Sequence, residues 1–294
     1  MNAISIVGLE KSFGPRKVLD GLEMEVPEGS LFGFVGLNGA GKTTTMKILL
    51  GLIPGDGGQA AIYDTPVKFG DTRINRQVGY LCDVPEFYNF YRPAEYLRLC
   101  GEISGMSSAR IAERVPVVLR QVGLEGDDRK IGGFSRGMKQ RLGLAQALVH
   151  EPKLLICDEP TSALDPLGRG QLLDLLVDIR KTTTVLFSTH ILSDVTRVCD
   201  RVAVLHGGKI VLAGSVDDIQ KNAGQSGVCV TLAAREGAVA LAQAFDTKSD
   251  GCRVTVEESR KRELLHALWQ GEYDFVSIAP REARVEELLV EAIR

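Results

Sequence analysis

The sequence predicts an α/β fold with a glycine-rich loop between a strand and a helix. Residues 31–35 form a strand-like apolar run, a glycine-rich loop follows, and a helical pattern runs from Thr43 to Leu50. Two further runs, 153–158 and 182–188, have the length and composition of buried strands in a parallel sheet. Residues 92–150 instead repeat apolar positions with the period of a helix. These observations predict a parallel sheet that carries a helical insertion.

The glycine-rich loop matches G-x-x-x-x-G-K-[ST] in full. Its residues are Gly36, Leu37, Asn38, Gly39, Ala40, Gly41, Lys42, Thr43 and Thr44. Glycines let backbone N–H groups turn inward around phosphate oxygens, and the following helix directs the positive end of its dipole at the anion. Lys42 is long enough to reach the β- and γ-phosphates, and the Thr43 hydroxyl can ligate Mg²⁺. We therefore expect a nucleoside triphosphate site rather than a chance glycine-rich turn.

Composition sets limits on the class of protein. A chain of 294 residues predicts two domains, and a net charge of −3 gives no reason to expect a nucleic-acid partner. No apolar run approaches the roughly 18 residues that would span a bilayer, and the N-terminus lacks the layout of a signal peptide. Six scattered cysteines without a C-x-x-C pair indicate a reducing compartment. We expect a soluble cytosolic protein.

The remaining elements follow from local patterns. Residues 4–35 predict strands with turns at residues 13–15 and 27–29, and residues 201–214 predict a hairpin that turns at Gly207-Gly208. The predicted domains are 1–218, with a helical subdomain at about 85–150, and 219–294, a small C-terminal α/β domain. After a linker at 222–227, the second domain is predicted to contain strands at 228–232, 253–256 and 275–278 and helices at 237–245, 260–270 and 283–293.

Two acids stand at the end of the predicted strand 153–158. Asp158 ends this strand, where its carboxylate can contact Mg²⁺ directly or through water. Glu159 follows at the mouth of the site, where it can polarise an attacking water and accept its proton. The alternative is that both are surface acids at a strand end.

Three further motifs carry a family resemblance. Residues 159–165 read Glu-Pro-Thr-Ser-Ala-Leu-Asp, residues 134–142 read Phe-Ser-Arg-Gly-Met-Lys-Gln-Arg-Leu, and residues 188–190 read Ser-Thr-His. With the phosphate loop, this ordered set resembles the ATP-binding cassette ATPases, the nucleotide-binding subunits of ABC transporters, over roughly residues 4–216. The form Phe-Ser-x-Gly-Met-x-Gln-Arg-Leu is typical of the exporter-type cassettes that pair with ABC-2-type membrane subunits.

The resemblance implies a P-loop NTPase (RecA-like) core with an antiparallel β subdomain and a helical subdomain. It implies ATP hydrolysis with Mg²⁺, and dimer closure that powers export through a separate ABC-2-type permease. The partner is then a second copy in an ATP-sandwich homodimer, with a heterodimer left open, and the location is cytoplasmic, peripheral on the inner face of the cell membrane. The alternatives are a soluble cassette ATPase acting on ribosomes or DNA, and a regulatory subunit that hydrolyses poorly.

The resemblance also implies roles for individual residues. Phe13 would stack on the adenine, the alternative being a buried hairpin phenylalanine. Ser135 and Gly137 would contact the γ-phosphate held by the opposite subunit, and Asp165 would bridge the two sites. His190 would contact the γ-phosphate and help to hold Glu159 and the attacking water.

One position departs from the family pattern. Where the family usually has a glutamine that touches Mg²⁺, this chain has Asp83, which adds a negative charge and lacks an amide donor. We expect Asp83 to take the Mg²⁺ role, although a shift of the loop that brings Glu86 nearer the site stays open. The aromatic residues 87–91 either receive a segment of the membrane subunit or pack the core of the helical subdomain.

Overall fold

The computed structural model describes residues 1–222, 225–271, 273–282, 288–290 and 292. The chain packs as two compact units, a first that spans Met1–Ser215 and a second that spans Val216–Glu291. In chain order, the first unit contains β1 (Asn2–Phe13), β2 (Arg16–Pro27), β3 (Leu31–Val35), α1 (Lys42–Leu49), β4 (Gly57–Ile62), β5 (Thr65–Pro66), β6 (Val78–Leu81), α2 (Pro93–Ile103), α3 (Ser108–Gln121), α4 (Arg136–Leu148), β7 (Leu154–Cys157), α5 (Pro166–Arg180), β8 (Thr184–Thr189), α6 (Leu192–Val198), β9 (Arg201–His206) and β10 (Lys209–Ser215).

A six-stranded sheet forms the centre of the first unit, in the order β10-β9-β3-β8-β7-β6. Strand β3 runs parallel to β8 and β9, and β7 runs parallel to β6 and β8. Every side chain of β3, β7 and β8 is buried, as expected for strands covered on both faces. The register pairs Val35 with Thr189 and Cys157 with Phe187, so the segments after these strands start at one edge of the sheet.

A second, antiparallel sheet has the order β2-β1-β4-β5. Strands β1 and β2 form a hairpin in which Phe13 pairs with Arg16 across a turn at Gly14 and Pro15, where the predicted turn lies. Gly14 has a φ of +58°, a conformation that suits glycine in so tight a turn. The hairpin therefore brings Phe13 and Arg16 together at its tip.

The helical insertion consists of α2, α3 and α4. On α3 the buried residues Ile111, Val115, Val118 and Leu119 recur with helical spacing, so this helix presents one apolar face to its neighbours. The structure thus confirms the predicted α/β class, with a parallel core sheet, an antiparallel sheet and a helical region. Among the residues that the structure describes, no helix has both the length and the apolar character needed to cross a membrane.

The second unit has an antiparallel sheet in the order β12-β13-β11-β14. Its elements are α7 (Val216–Asn222), β11 (Gln225–Leu232), α8 (Arg235–Ala244), β12 (Ser249–Asp250), β13 (Arg253–Val256), α9 (Lys261–Trp269) and β14 (Phe275–Glu282). Its core joins alternate residues of β11 and β13 to the inner faces of α8 and α9. The predicted linker is shorter than expected because β11 begins at Gln225, paired with β14. The helix predicted at 283–293 falls mostly outside the described residues.

Candidate functional site

The glycine-rich loop occupies the turn between β3 and α1. Gly41 has a φ of +115°, and a Cβ there would lie 2.9 Å from Leu19 Cδ2. A Cβ on Gly36 would lie 2.8 Å from the carbonyl oxygen of Leu205. Gly41 therefore excludes larger residues by its conformation and by contact, and Gly36 excludes them by contact alone. The close packing keeps the loop against the ends of the neighbouring strands.

Lys42 is buried at the start of α1. Its Nζ donates hydrogen bonds to the carbonyl oxygens of Gly36, at 2.6 Å, and of Leu37, at 3.2 Å. The same nitrogen lies 3.0 Å from Glu159 Oε1, and the side chains of Lys42 and Glu159 are only 5% and 12% exposed. The ammonium is thus held inside the loop, where it compensates the charge of the buried Glu159 carboxylate.

The segment after β7 carries both predicted acids. Asp158 is buried, and its Oδ1 accepts a hydrogen bond of 2.7 Å from the Ser188 hydroxyl. The Ser188 oxygen in turn accepts from the backbone N–H of Glu159, at 3.0 Å. Ser188, at the end of β8, therefore links the two acids and fixes the backbone at Glu159.

The backbone of Glu159 has a φ of +47°. This left-handed conformation is costly for a residue with a side chain, and it persists where the surroundings hold it in place. The Glu159 carboxylate reaches His190, whose Nδ1 lies 2.8 Å from Oε2. Lys42, Glu159 and His190 thus form a connected chain across the ends of three strands.

A cavity of about 560 Å³ opens in front of this chain. It is lined by Phe13, Arg16, Val18, Asn38, Gly39, Gly41, Lys42, Thr43, Thr44, Asp83 and Glu159. Nine of these eleven residues are predicted site residues; the sequence reasoning missed Arg16 and Val18. Phe13 is 53% exposed, so it is not a buried hairpin side chain. Arg16 Nη2 donates to the carbonyl oxygen of Gly39, at 3.1 Å, which joins the hairpin tip to the phosphate loop.

Asp83 lines the cavity, whereas Glu86 is exposed and does not contribute to the wall. The Asp83 Oδ1 accepts a hydrogen bond of 2.6 Å from the Ser162 hydroxyl, and its carbonyl oxygen accepts one of 2.7 Å from Gln140 Nε2. Asp83 therefore connects the cavity to the segment after Glu159 and to α4 of the helical insertion.

The remaining predicted site residues do not line this cavity in the single chain. Ser135 caps α4 by accepting from the N–H of Met138, at 3.3 Å, and Asp165 caps α5 by accepting from that of Gly168, at 2.7 Å. Gly137 follows Ser135 in the first turn of α4. Asp158 and His190 also lie outside the cavity wall, but they are joined to it through Ser188 and Glu159.

Known proteins are similar to this chain in sequence. The sequence profile described as ABC transporter matches residues 19–162. The uncharacterized ABC transporter ATP-binding protein YxlF of Bacillus subtilis (strain 168) is 40% identical over 220 residues, which cover 74% of this chain and 72% of that protein. The chain belongs to the ABC transporter ATP-binding proteins. The Nod factor export ATP-binding protein I of Rhizobium sp. (strain N33) is 37% identical over 218 residues, 72% of this chain and 71% of that protein.

A solved structure agrees with the sequence relatives. The ATP-binding subunit of an ABC transporter superposes with a TM-score of 0.67 at 34% identity, over 75% of this chain and 92% of that one. The resemblance to the ATP-binding cassettes and the P-loop NTPase fold are thereby confirmed. The cassette is an ATP-binding, ATP-hydrolysing subunit of an ABC transporter, and these relatives do not favour a ribosome- or DNA-directed ATPase.

The structure adds two polar residues that the sequence reasoning did not single out. Ser188 precedes Thr189 and His190 at the end of β8, and Ser162 lies in the segment between Glu159 and Asp165. The sequence feature that could have identified them is their position at or after the carboxyl end of a buried strand. Polar side chains in such positions meet at one edge of a parallel sheet. Their partners were not visible in sequence, since each bonds to an acid far along the chain.

Proposed function

We propose that the cassette binds Mg·ATP in the cavity in front of Lys42 and hydrolyses it with Glu159 as general base, thereby powering export through a separate membrane subunit. The observation that carries this proposal is the placement of the Glu159 carboxylate, 3.0 Å from Lys42 and 2.8 Å from His190. A base in that position can hold a water in line with a phosphate bound at the loop.

Each wall of the cavity has a task in this proposal. Phe13 stacks on the adenine, and a ring in that place favours no particular base because every base has a π-face. The backbone N–H groups of residues 36 to 44 surround the phosphates, and Lys42 neutralises the β- and γ-phosphate oxygens. His190 contacts the γ-phosphate and keeps Glu159 directed at the water.

The oxygens near the loop suit Mg²⁺. Thr43 offers a hydroxyl, and Asp158 and Asp83 offer carboxylates, which are the hard donors that this ion prefers. Among the described residues there is no group of three or more His, Cys, Asp or Glu side chains able to hold a metal. That agrees with an ion held by one or two carboxylates and the phosphates of its nucleotide. When bound, Mg²⁺ would neutralise charge that develops on the phosphates.

The contact between Lys42 and Glu159 has to change for the proposed reaction. In the structure Lys42 is paired with Glu159, so phosphates must draw Lys42 away before Glu159 can act as a base. This exchange is favourable because the phosphates carry more charge than one carboxylate. Hydrolysis therefore starts only when ATP has replaced Glu159 as the partner of Lys42.

We further propose that two copies of the cassette sandwich ATP. Ser135 and Gly137, at the start of α4, and Asp165, at the start of α5, do not line the cavity of their own chain. In a head-to-tail dimer, residues 135–137 complete the site of the opposite copy. They offer the Ser135 hydroxyl, the bare backbone of Gly137 and the N-terminus of α4. Residues 1–218 act as this cassette, and residues 219–294 form an accessory domain.

The proposed membrane partner is an ABC-2-type permease, and the cassette would lie at the cytoplasmic face of the membrane. A groove of about 410 Å³ borders the helical insertion and is lined in part by Tyr88, Tyr96, Leu99 and Ile103. Tyr88 is 60% exposed and Ile103 is 78% exposed, so apolar surface is available for a segment of the permease. Phe87 instead packs edge-on against Tyr96, so the aromatic run 87–91 serves both docking and local packing.

Two experiments test the proposal. ATP turnover of the purified chain is compared with that of Glu159→Gln, where loss of turnover with retained nucleotide binding supports Glu159 as the base. The tagged chain is also purified from detergent-solubilised cells and its partners are identified by mass spectrometry. Stoichiometric recovery of a polytopic membrane protein supports the transporter assembly, and recovery with ribosomes or DNA contradicts it.

A further inference from the structure

A buried carboxylate lies outside the cavity and has no role in the mechanism above. Asp194, in the first turn of α6, is 1% exposed. Its Oδ2 accepts a hydrogen bond of 2.8 Å from the Thr161 hydroxyl, and its Oδ1 accepts one of 2.6 Å from Arg169 Nε. Both oxygens are therefore occupied, and the guanidinium compensates the buried charge.

The three partners join segments that each carry a site residue. Thr161 lies two residues after Glu159, and Asp194 lies four residues after His190. Arg169 stands in the first turn of α5, and its N–H donates to the carbonyl oxygen of Asp165, at 2.9 Å. One carboxylate thus connects the segments that hold Glu159, His190 and Asp165.

The turn that begins at Glu159 needs such an anchor. Glu159 has a φ of +47°, and the turn is closed by N–H donation from Ser162 to the Glu159 carbonyl oxygen, at 3.2 Å. Thr161, 1% exposed, directs its hydroxyl from this turn to Asp194. A left-handed glutamate persists only where neighbouring contacts hold it, and the bond from Thr161 is such a contact.

A second ion pair between α5 and α6 lacks the contact with the Glu159 turn that Asp194 makes. Asp174 on α5 and Arg197 on α6 lie 2.8 Å apart, but their side chains are 67% and 49% exposed. That pair also joins the two helices, yet neither residue bonds to the turn at Glu159. It is therefore a matched control for an ion pair without the connection to Thr161.

We propose that Asp194, held by Arg169, is a positioning residue that acts through Thr161 to fix the Glu159 carboxylate relative to Lys42 and His190. The inference rests on the proposed role of Glu159 as base. Asp194 does not line the cavity, so its loss slows the chemical step and leaves nucleotide binding at Phe13 and the phosphate loop intact.

The test measures kcat and KM for ATP with the full chain. Thr161→Val removes the hydroxyl at nearly constant volume and leaves the Asp194–Arg169 pair in place, so it disturbs the buried charge less than Asp194→Asn does. Displacement of a reacting group by about 1 Å can cost 10²-fold, so we expect kcat to fall by about 10- to 100-fold, with KM within about twofold. Thr161→Ser, which keeps the hydroxyl, restores the rate, and Asp174→Asn has wild-type kcat.

The same substitution in a Glu159→Gln background separates the possible outcomes. If Thr161 acts through Glu159, Thr161→Val causes no further loss in the Glu159→Gln chain. A kcat for Thr161→Val within twofold of wild type, or an equal loss in both backgrounds, overturns the positioning role while Glu159 stays the base. A Glu159→Gln chain as fast as wild type instead refutes the base itself, and this inference with it.

Discussion

The Glu159 carboxylate lies 3.0 Å from the Lys42 ammonium, and both side chains are nearly buried. The Lys42 ammonium and the Glu159 carboxylate therefore neutralise each other beside the glycine-rich loop. Removing one member of a buried ion pair leaves the other charge uncompensated. A substitution at Glu159 therefore also changes the surroundings of Lys42.

Glu159→Gln should bind ADP more tightly and turn over ATP much more slowly. The neutral amide competes with phosphates for Lys42 more weakly than the carboxylate does. It also cannot act as a general base, so kcat should fall by about 10²- to 10⁴-fold. Kd for ADP and steady-state ATPase rates measure the two effects. Glu125→Gln, which changes an exposed acid paired with Arg120, serves as the control. Weaker ADP binding in Glu159→Gln would contradict the proposed competition.

Ser188→Ala should reduce both stability and turnover. The change removes the donor to Asp158 and the acceptor for the Glu159 N–H inside a fully buried site, which costs about 1–3 kcal/mol in the free energy of unfolding. Urea denaturation and kcat are measured together. Ser30→Ala also deletes a hydrogen bond from a buried serine, here to the Pro27 carbonyl oxygen, and should leave kcat unchanged. Equal kcat values for the two variants would argue against the bridging role of Ser188.

Phe13→Ala should weaken ATP and GTP binding by similar factors. Loss of one aromatic stacking contact costs about 1–3 kcal/mol, which corresponds to an increase in Kd of roughly 5- to 160-fold. Phe13→Tyr keeps the ring and should bind like the wild type. Phe69, another exposed phenylalanine outside this cavity, provides the control variant Phe69→Ala. A selective loss of ATP over GTP would show that Phe13 reads the base instead of stacking on it.

Asp83→Asn should raise the Mg²⁺ concentration that gives half-maximal ATPase activity by about tenfold. The variant loses the charge of the carboxylate but keeps an oxygen that can accept from Ser162. A Mg²⁺ titration at fixed ATP measures the change. Glu86→Gln tests the alternative that a shift of the loop brings Glu86 to the Mg²⁺ position. This variant should behave like the wild type because Glu86 does not line the cavity. A shift in Glu86→Gln alone would assign the role to Glu86.

His150→Gln should make the cassette less sensitive to acid. Burial lowers the pKa of His150 below its ordinary 6.5, and its Nε2 lies 3.1 Å from the Val78 carbonyl oxygen. The unfolded chain therefore binds a proton at a higher pH than the folded chain, so stability falls as pH drops below about 6.5 through the folded pKa. Thermal unfolding at pH 7.5 and pH 5 should show a smaller difference for His150→Gln. An unchanged difference would exclude His150 as a source of the acid sensitivity.

Local patterns predicted much of this fold. The run 31–35, the loop Gly36–Thr44 and the helix after it appear in the structure with shifts of a residue or so at their ends, because burial and glycine content act over neighbouring residues. The β9–β10 hairpin turns at Gly207-Gly208 as expected. The start of β11 at Gln225 was missed, since that stretch becomes a strand only by pairing with β14.

The sequence by itself therefore determined the family and the glycine-rich loop, and it predicted Lys42, Asp158, Glu159 and His190 as site residues. These follow from ordered motifs and from the chemistry that each residue type allows. Only the tertiary structure decided which side chains meet, such as Ser188 with Asp158 or Thr161 with Asp194. The physical reason is that these partners are far apart along the chain and come together only through the strand order β3-β8-β7 and the packing of α5 and α6 beside it.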